Sequence, residues 1–462
     1  MNPFEQSGGT GEQVQVHMLC FEGPDAYSRA GGLASRVTGL TEALGEAGFD
    51  THLWYIGDPN LPGHETRRQV HLHRWCQWIS RYHPGGVYDG EEGKRWDFAS
   101  SLPPFLMQEA LLPFLRKRGR RSLILAEEWQ TASAVLHLDW LLRCAGLRHR
   151  VTIFWNANNM CGFDRIDWAR LAEAAVITTV SRYMRHRMWS LGVDPLVIPN
   201  GLPPEEFEGT DREAMAEFSR CTRDRVVLGK VARWDPDKRW LLAIDIVGEL
   251  KRHGWRPLLI ARGGVEAHGT EVLARAAAAQ LQVVERTQPQ PGARGFFEGL
   301  RDLGDADVVS LRSHLTREPR RILFRGAAAV LANSGVEPFG LVGLEAMAVE
   351  GLACTGGTGE DYAVPGWNAL VLQSQDPREF VNSFHRLRTN PVEERALRRR
   401  GKSTAKHYAW NEIIRRNLIP CFQLASGNGF SLSAEGAPER AGPKRARHSE
   451  PSFLVRRQSE RA

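Results

Sequence analysis

The chain has 462 residues, 42% hydrophobic and 25% charged, an ordinary globular balance that can bury a sizeable core. That length excludes a single core, because cores stop growing at roughly 250–300 residues, so two domains are expected. The net charge of +6, with a pI of about 9.0, is mild for the length and selects none of an anionic small substrate, a membrane surface or nucleic acid.

Taken in chain order, short apolar strands alternate with longer periodic helices. Val14–Phe21 reads as a strand leading into a glycine turn and a helix from about Leu33 to Ala47, with Leu33, Val37, Leu40 and Leu44 at helical spacing and Gly48 closing it. Further strands are expected at 123–126, 151–155, 176–180 and 196–199. After Pro203-Pro204 and a charged stretch the pattern restarts, with a strand at "VVLGKVA", a helix over 240–251, and strands at 257–261, 307–311, 328–332, 352–355 and 369–373. Two successive strand–helix series predict an α/β protein with two parallel-sheet, Rossmann-like domains and a ligand in the cleft between them, at the carboxyl ends of the strands. The expected division is a flexible start over 1–13, domains over 14–205 and 206–407 with a linker near 200–225, a returning helix over 408–425, and a disordered basic tail over 426–462 that is rich in Gly, Pro, Ser and Arg.

Seven scattered cysteines without a C-x-x-C pair argue for a reducing compartment and against a disulfide or zinc framework. The N-terminal "MNPFEQSGGTGEQ" lacks a basic-then-apolar pattern, and no run reaches about 18 apolar residues, so neither a signal peptide nor a spanning helix is expected and a cytoplasmic location is. The cluster "RKRGRR" (116–121) beside Pro113-Phe114-Leu115 reads as a solvated helix end first and as a peripheral contact with acidic lipid second. No nucleic-acid partner is expected, and the oligomeric state is left open.

Three motifs carry chemistry. "EPFGLVGLEAMA" places Glu337 on a loop and opens a helix near Leu341, whose first-turn amides suit a phosphate; Gly340, Leu341 and Val342 supply them, and Glu345 lies about one turn further in. Alone, the two acids read equally well as a capping glutamate and a surface-loop acid. "GKVARWDPDKRW" sets Arg233 and Lys238 at a strand end, where two cations can stabilise a diphosphate leaving group without a metal ion. "EGPDAYSRAGGLASR" follows a strand with Gly31-Gly32, which let backbone approach a ligand, and with Arg29 beside them. It is not the G-x-G-x-x-G dinucleotide fingerprint. Asp235 and Asp237, the A-x4-G-K-S stretch 396–403 and His71–His73 read as a turn, a solvated helix and an alternating strand rather than as metal or phosphate sites.

Together these motifs resemble the retaining glycosyltransferases of the GT-B fold, of the glycogen and starch synthase type, over residues 14–424. The family's E-x7-E block matches Glu337 and Glu345, its Arg and Lys five apart match Arg233 and Lys238, and its K-x-G-G-L loop matches "RAGGL" with Arg29 for Lys. Thr355-Gly356-Gly357, "VIPNGLPPEEF" and "AEEWQTA" match the family's T-G-G turn, interdomain segment and "HDWQTA", with Glu127 and Glu128 for His and Asp. The resemblance implies transfer of a hexose from a nucleotide diphosphate sugar to a hydroxyl acceptor, with retention and with no metal or other cofactor. It implies that Glu337 holds donor hydroxyls, Glu345 the ribose, Arg233 and Lys238 the diphosphate, and that the base stacks near Val308–Leu311. A departure is Trp155-Asn156, where the synthases have a His before the Asn; this weighs against glucan synthesis, while Asn156 and its neighbours to Asn159 are read as the acceptor side. The donor is expected to be UDP- or ADP-hexose. A non-catalytic nucleotide-sugar or glycan-binding protein of the same fold, and a glucan synthase, are the alternatives, and the acceptor is open among lipid-linked sugar, glucan, polyol and protein.

Overall fold

A computed structural model describes residues 13–426. Apart from their inner residues, the two end segments expected to lack structure lie outside that range. Two sheets organise the chain. The first contains β1 (Gln13–Leu19), β2 (Asp50–Ile56), β3 (His64–Arg67), β4 (Val70–Trp75), β5 (Arg120–Glu127), β6 (Val151–Ala157), β7 (Val176–Thr179) and β8 (Leu196–Val197). Their lateral order is β3-β4-β2-β1-β5-β6-β7-β8, parallel except for the β3–β4 hairpin. The second contains β9 (Val226–Val231), β10 (Pro257–Arg262), β11 (Val283–Arg286), β12 (Val308–Leu311), β13 (Ala329–Ala332), β14 (Ala353–Thr355) and β15 (Leu370–Val371), all parallel in the order β11-β12-β10-β9-β13-β14-β15.

The strands are short apolar runs because helices cover both faces of a parallel sheet. β12 is buried along its whole length, and β5 over its last six residues. The helix Gly32–Glu46 sits on the first sheet through Ala34, Val37, Leu40 and Leu44 at the spacing the sequence predicts. In both sheets the order reverses beside the first strand of the unit, β1 and β9, the place where a doubly wound sheet opens a crevice.

Two segments cross between the sheets side by side. Leu202 N–H donates to Tyr408 O at 2.7 Å, and Trp410 N–H donates back to Leu202 O at 3.1 Å. Beyond the crossing, Trp410, Ile413, Ile414, Leu418 and Phe422 join the core made by β1, β2, β4 and the helix Gly32–Glu46. Each buried apolar side chain contributes about 1.5–3 kcal/mol, so the C-terminal segment is fastened to the first sheet although it follows the second in sequence. Trp410 fits because residue 201 is glycine: a Cβ there would meet its ring at 2.5 Å.

The stretch 396–403 lies within the helix Pro391–Lys406, as its arginine-rich pattern predicts. Arg116, Lys117 and Arg118 are exposed, and Arg120 lies over the Phe114 ring at 5.1 Å. Among the described residues no helix is long and apolar enough to cross a membrane.

Candidate active site

A cavity of about 790 Å³ opens where the carboxyl ends of the two sheets face each other. Its second-sheet wall is built from two loops tied together. Between β13 and the helix Leu341–Ala348, the backbone N–H of Glu337 donates to Thr358 Oγ1 at 2.9 Å. The Thr355–Gly359 turn can lie against that loop only because Gly356 and Gly359 carry no side chain. A Cβ on Gly356 would come within 2.0 Å of Ser334 O, and one on Gly359 within 2.1 Å of Glu337 O. The second loop follows β9. Asp235 accepts the N–H of Asp237 at 2.9 Å and starts a short turn over Pro236–Lys238, and Gly335 N–H donates to Asp237 O at 2.6 Å. These bonds bring Lys238 Nζ within 2.5 Å of Glu337 Oε2, a pair 21% and 17% exposed at the cavity wall. Arg233 stands on the same wall, 65% exposed, with Asp235 its nearest carboxylate at 3.9 Å. Gly340 brings no capping side chain to the helix Leu341–Ala348, so its first-turn amides keep donors at the cavity, where Leu341 lies.

Beneath this wall sit two buried titratable groups. Lys230 donates to Asn333 Oδ1 at 2.7 Å and to Leu331 O at 3.1 Å, and burial lowers its pKa to about 7. Glu360 backs Gly340, and burial, reinforced by the charge of Glu337, raises its carboxyl to about 8.

The first-sheet wall is organised by three glutamates. Glu22, just past β1, accepts the N–H groups of Ala30, Gly31 and Ala34 at 3.2, 3.0 and 3.0 Å and the Tyr88 hydroxyl at 2.7 Å. It thereby fixes the Gly31-Gly32 loop in the cavity wall. Glu127 is fully enclosed: Arg36 Nε lies 3.1 Å away, and the side-chain amides of Asn156 and Asn158 donate at 2.8 and 2.7 Å. Arg36 also donates to Asn200 Oδ1 at 2.8 Å, linking this network to the crossing segment. Glu128 faces the cavity from a left-handed backbone, φ 68°, a conformation that costs a non-glycine residue on the order of 1–3 kcal/mol and is tolerated where the surroundings hold it. The holding bond is Asn158 N–H to Glu128 Oε1 at 2.6 Å. Burial, reinforced by the charge of Glu127, raises Glu128 to about 8, so it carries a proton at neutral pH.

Of the residues expected from sequence, Glu337, Arg233, Lys238, Leu341, Gly31 and Gly32 line this one cavity. Others stand elsewhere. Glu345, on the same helix as Leu341, is 14% exposed and paired with Arg320 at 3.4 Å; burial raises it to about 7, with Arg320 opposing. Gly340 is buried behind the wall as the helix cap, and Val342 is half-buried outside the lining. Leu311 is enclosed in the second-sheet core, because it ends a strand covered on both faces. Arg29 is exposed and donates to Pro24 O at 2.9 Å. Burial, then the charges of Arg262, Arg320 and Arg29, lower the pKa of His314, so Arg29 shares a field with cations of the second half. Asn156 lies under the wall, spent on Glu127 and on the Thr178 hydroxyl at 2.9 Å; Asn158 and Asn159 take the wall positions instead. Sequence reasoning passed over Glu22, Tyr88 and Asn200 and noted Glu128 only as a replacement. The sequence signal for Glu128 was an acid at a strand end ahead of a turn, which is too common to single out.

Sucrose-phosphate synthase from Thermosynechococcus elongatus has a similar structure, with a TM-score of 0.60 at 20% identity over 89% of this chain and 99% of that one. The catalytic domain of starch synthase IV from Arabidopsis thaliana, solved with ADP and acarbose, scores 0.59 at 14% identity over 88% of this chain and all of its own. The fold is GT-B. By sequence, the chain is 28% identical over 239 residues to the D-inositol 3-phosphate glycosyltransferase of Nocardiopsis dassonvillei, a match spanning 47% of this chain and 48% of that relative. The chain thus matches about half the length of that relative. No protein-family model matches it. The cavity lies between the two sheets.

Proposed function

We propose that this protein is a hexosyltransferase that moves a sugar from a nucleotide diphosphate donor to a hydroxyl acceptor, with retention and without a metal ion. The observation that carries the reading is the Lys238–Glu337 pair at 2.5 Å, beside Arg233 and the open first turn of the helix Leu341–Ala348, in one cavity. A diphosphate seated there meets helix amides and two cations, which stabilise the negative charge that develops as the glycosidic C–O bond breaks. Glu337, relieved of Lys238 by the diphosphate, accepts from sugar hydroxyls. Glu345, a turn further along the helix and paired with Arg320 of the helix Arg317–Gly326, would take the ribose. Across the cavity, Glu128 is protonated at neutral pH, which makes it a poor nucleophile. This supports reaction on one face, with the leaving phosphate taking the acceptor proton and the Glu128 carboxyl donating a hydrogen bond to the acceptor.

Trp155, at the position of the synthases' His, is buried with its Nε1–H on Glu128 O at 3.1 Å, so it offers a sugar no contact. That favours a small or lipid-linked acceptor over a growing glucan. The test is nucleotide release from UDP- and ADP-glucose, with and without candidate acceptors, in the presence of a chelator. Slow release that is lost in Glu337→Ala and Lys238→Ala supports the enzyme, and an α-linked product from an α-linked donor supports retention. A donor that stabilises the protein, by about 2.7 kcal/mol at a hundred times its dissociation constant, but releases no nucleotide with or without any acceptor would point to a binding protein instead.

A further inference from the structure

The outer strands of the first sheet carry an unusual row of side chains. Pairing between β1, β2 and β4 sets His17 beside His52 and His52 beside His71, and the β3–β4 hairpin sets Thr66 beside His71. Two residues earlier, on the same face, Gln15 pairs with Asp50; two residues later, Trp54 pairs with His73 and His73 with His64. Because side chains alternate along a strand, this register gathers five imidazoles and a carboxylate on one face. The rings are stacked, with centroids 4.7 Å apart for both His17–His52 and His52–His71.

Within the row, three donor atoms converge. Asp50 Oδ1 lies 3.2 Å from His52 Nε2 and 3.6 Å from His71 Nε2, and all three ligand atoms fall within 4.8 Å of one another. Zinc–ligand bonds of about 2.0–2.1 Å in a tetrahedral site hold donor atoms about 3.3 Å apart, close to the two carboxylate–imidazole distances. The other polar atoms of the three residues are already engaged. His71 Nδ1 is 3.1 Å from Thr66 Oγ1, His52 Nδ1 is 3.0 Å from His73 Nε2, and Gln15 Nε2 donates to Asp50 Oδ2 at 2.7 Å. With the protons on the two Nδ1 atoms, both Nε2 lone pairs can meet a cation beside Asp50 Oδ1, which then replaces the His52 Nε2–Asp50 contact. Such outer partners orient ligands in metal sites and fix their tautomers. Gln15 Nε2 also touches His52 Nε2 at 3.2 Å and gives up that contact, but not Asp50, when a cation arrives. His71 and Asp50 are 36% and 46% exposed, so the space is reachable from solvent and a water can complete the shell.

We propose that Asp50, His52 and His71 form a binding site for one zinc ion, with water as the fourth ligand. Two imidazoles and one carboxylate select a late first-row divalent ion over calcium or magnesium, which take oxygen shells. Asp50 is the first residue of β2, at the amino end of the sheet, whereas the cavity lies at the carboxyl ends. The ion therefore staples β2 to β4 and takes no part in catalysis.

The test uses the full-length chain without a histidine tag, stripped by chelator and titrated with cobalt(II) and then zinc. The expected result is one equivalent of cobalt giving a visible band of low coordination number, displaced by one equivalent of zinc, with a rise in melting temperature. His71→Ala abolishes the band and weakens zinc at least a hundredfold, and Thr66→Val weakens it about tenfold. Asp50→Asn behaves like His71→Ala; if it fails to fold, the exposed His71 variant alone decides. Absence of the band at saturating cobalt, or equal zinc affinity in wild type and His71→Ala, overturns the site.

Discussion

The two walls of the cavity are built in opposite ways. The second-sheet wall comes from two compact segments, 233–238 and 337–341, clamped by the Gly335–Asp237 and Glu337–Thr358 bonds. The first-sheet wall is gathered from Glu22, Tyr88, Glu128, Asn158 and Asn200, which lie on five separate segments. A wall made of contiguous segments presents the same chemistry wherever its sheet goes. A wall made of scattered residues can change its lining one loop at a time. The difference matches the division of labour proposed for them, a fixed anionic donor on one side and a chain-specific acceptor on the other.

Five substitutions would break or sharpen that contrast. The largest effect is expected for Glu337→Ala and Lys238→Ala, each lowering kcat about 10³-fold, since removal of one preorganised electrostatic contact costs about 10²–10³ or more. Steady-state kinetics with saturating donor checks this, and near-wild-type melting temperatures should accompany the loss. Next, Trp410→Ala should destabilise the protein by about 3 kcal/mol through the cavity it leaves, read as a shifted denaturant midpoint. If the first wall depends on that anchor, donor affinity should survive while transfer falls.

Glu128→Gln is third. A carboxyl whose pKa is raised from the ordinary range to about 8 binds its proton more tightly in the folded chain, so stability falls as pH rises from about 4.5 and the deficit is complete above about 8. The amide removes that penalty, so the variant should be stabler than wild type by a few kcal/mol at pH 9 and nearly equal to it at pH 5, as followed by melting curves across pH. An unchanged pH profile would show that Glu128 is ionised and return it to the list of candidate nucleophiles. Smallest is Arg29→Ala: an exposed cation should change donor KM by no more than about threefold, with the effect shrinking in salt.

These residues also mark how far the sequence could be read. Glu337, Arg233 and Lys238 were legible because each sits on a loop ending a recognisable strand, and strand ends on the same side of a parallel sheet must face one cleft. Gly356 was legible as a turn, but not as the template for the Glu337 loop, since a 2.0 Å approach belongs to a pair of loops and not to either alone. Asn156 was misplaced by two residues. Alternation along β6 fixes which asparagine points down to Glu127, and the end of that strand, not its composition, decides where the wall begins. The histidines of β2 and β4 read as an alternating pattern at most. Their convergence on Asp50 depends on the cross-strand register.

By itself, the order of residues determined the two strand–helix series, the helix whose amides open on the cavity, and the acids and cations at strand ends, because backbone periodicity and chain punctuation act over a few residues. The tertiary structure alone decided that burial pushes the Glu128 carboxyl up, that Glu345 is held by Arg320, and that the C-terminal segment belongs to the first sheet. Each of those outcomes turns on which distant groups exclude water from a side chain, and exclusion of water is a property of packed neighbours.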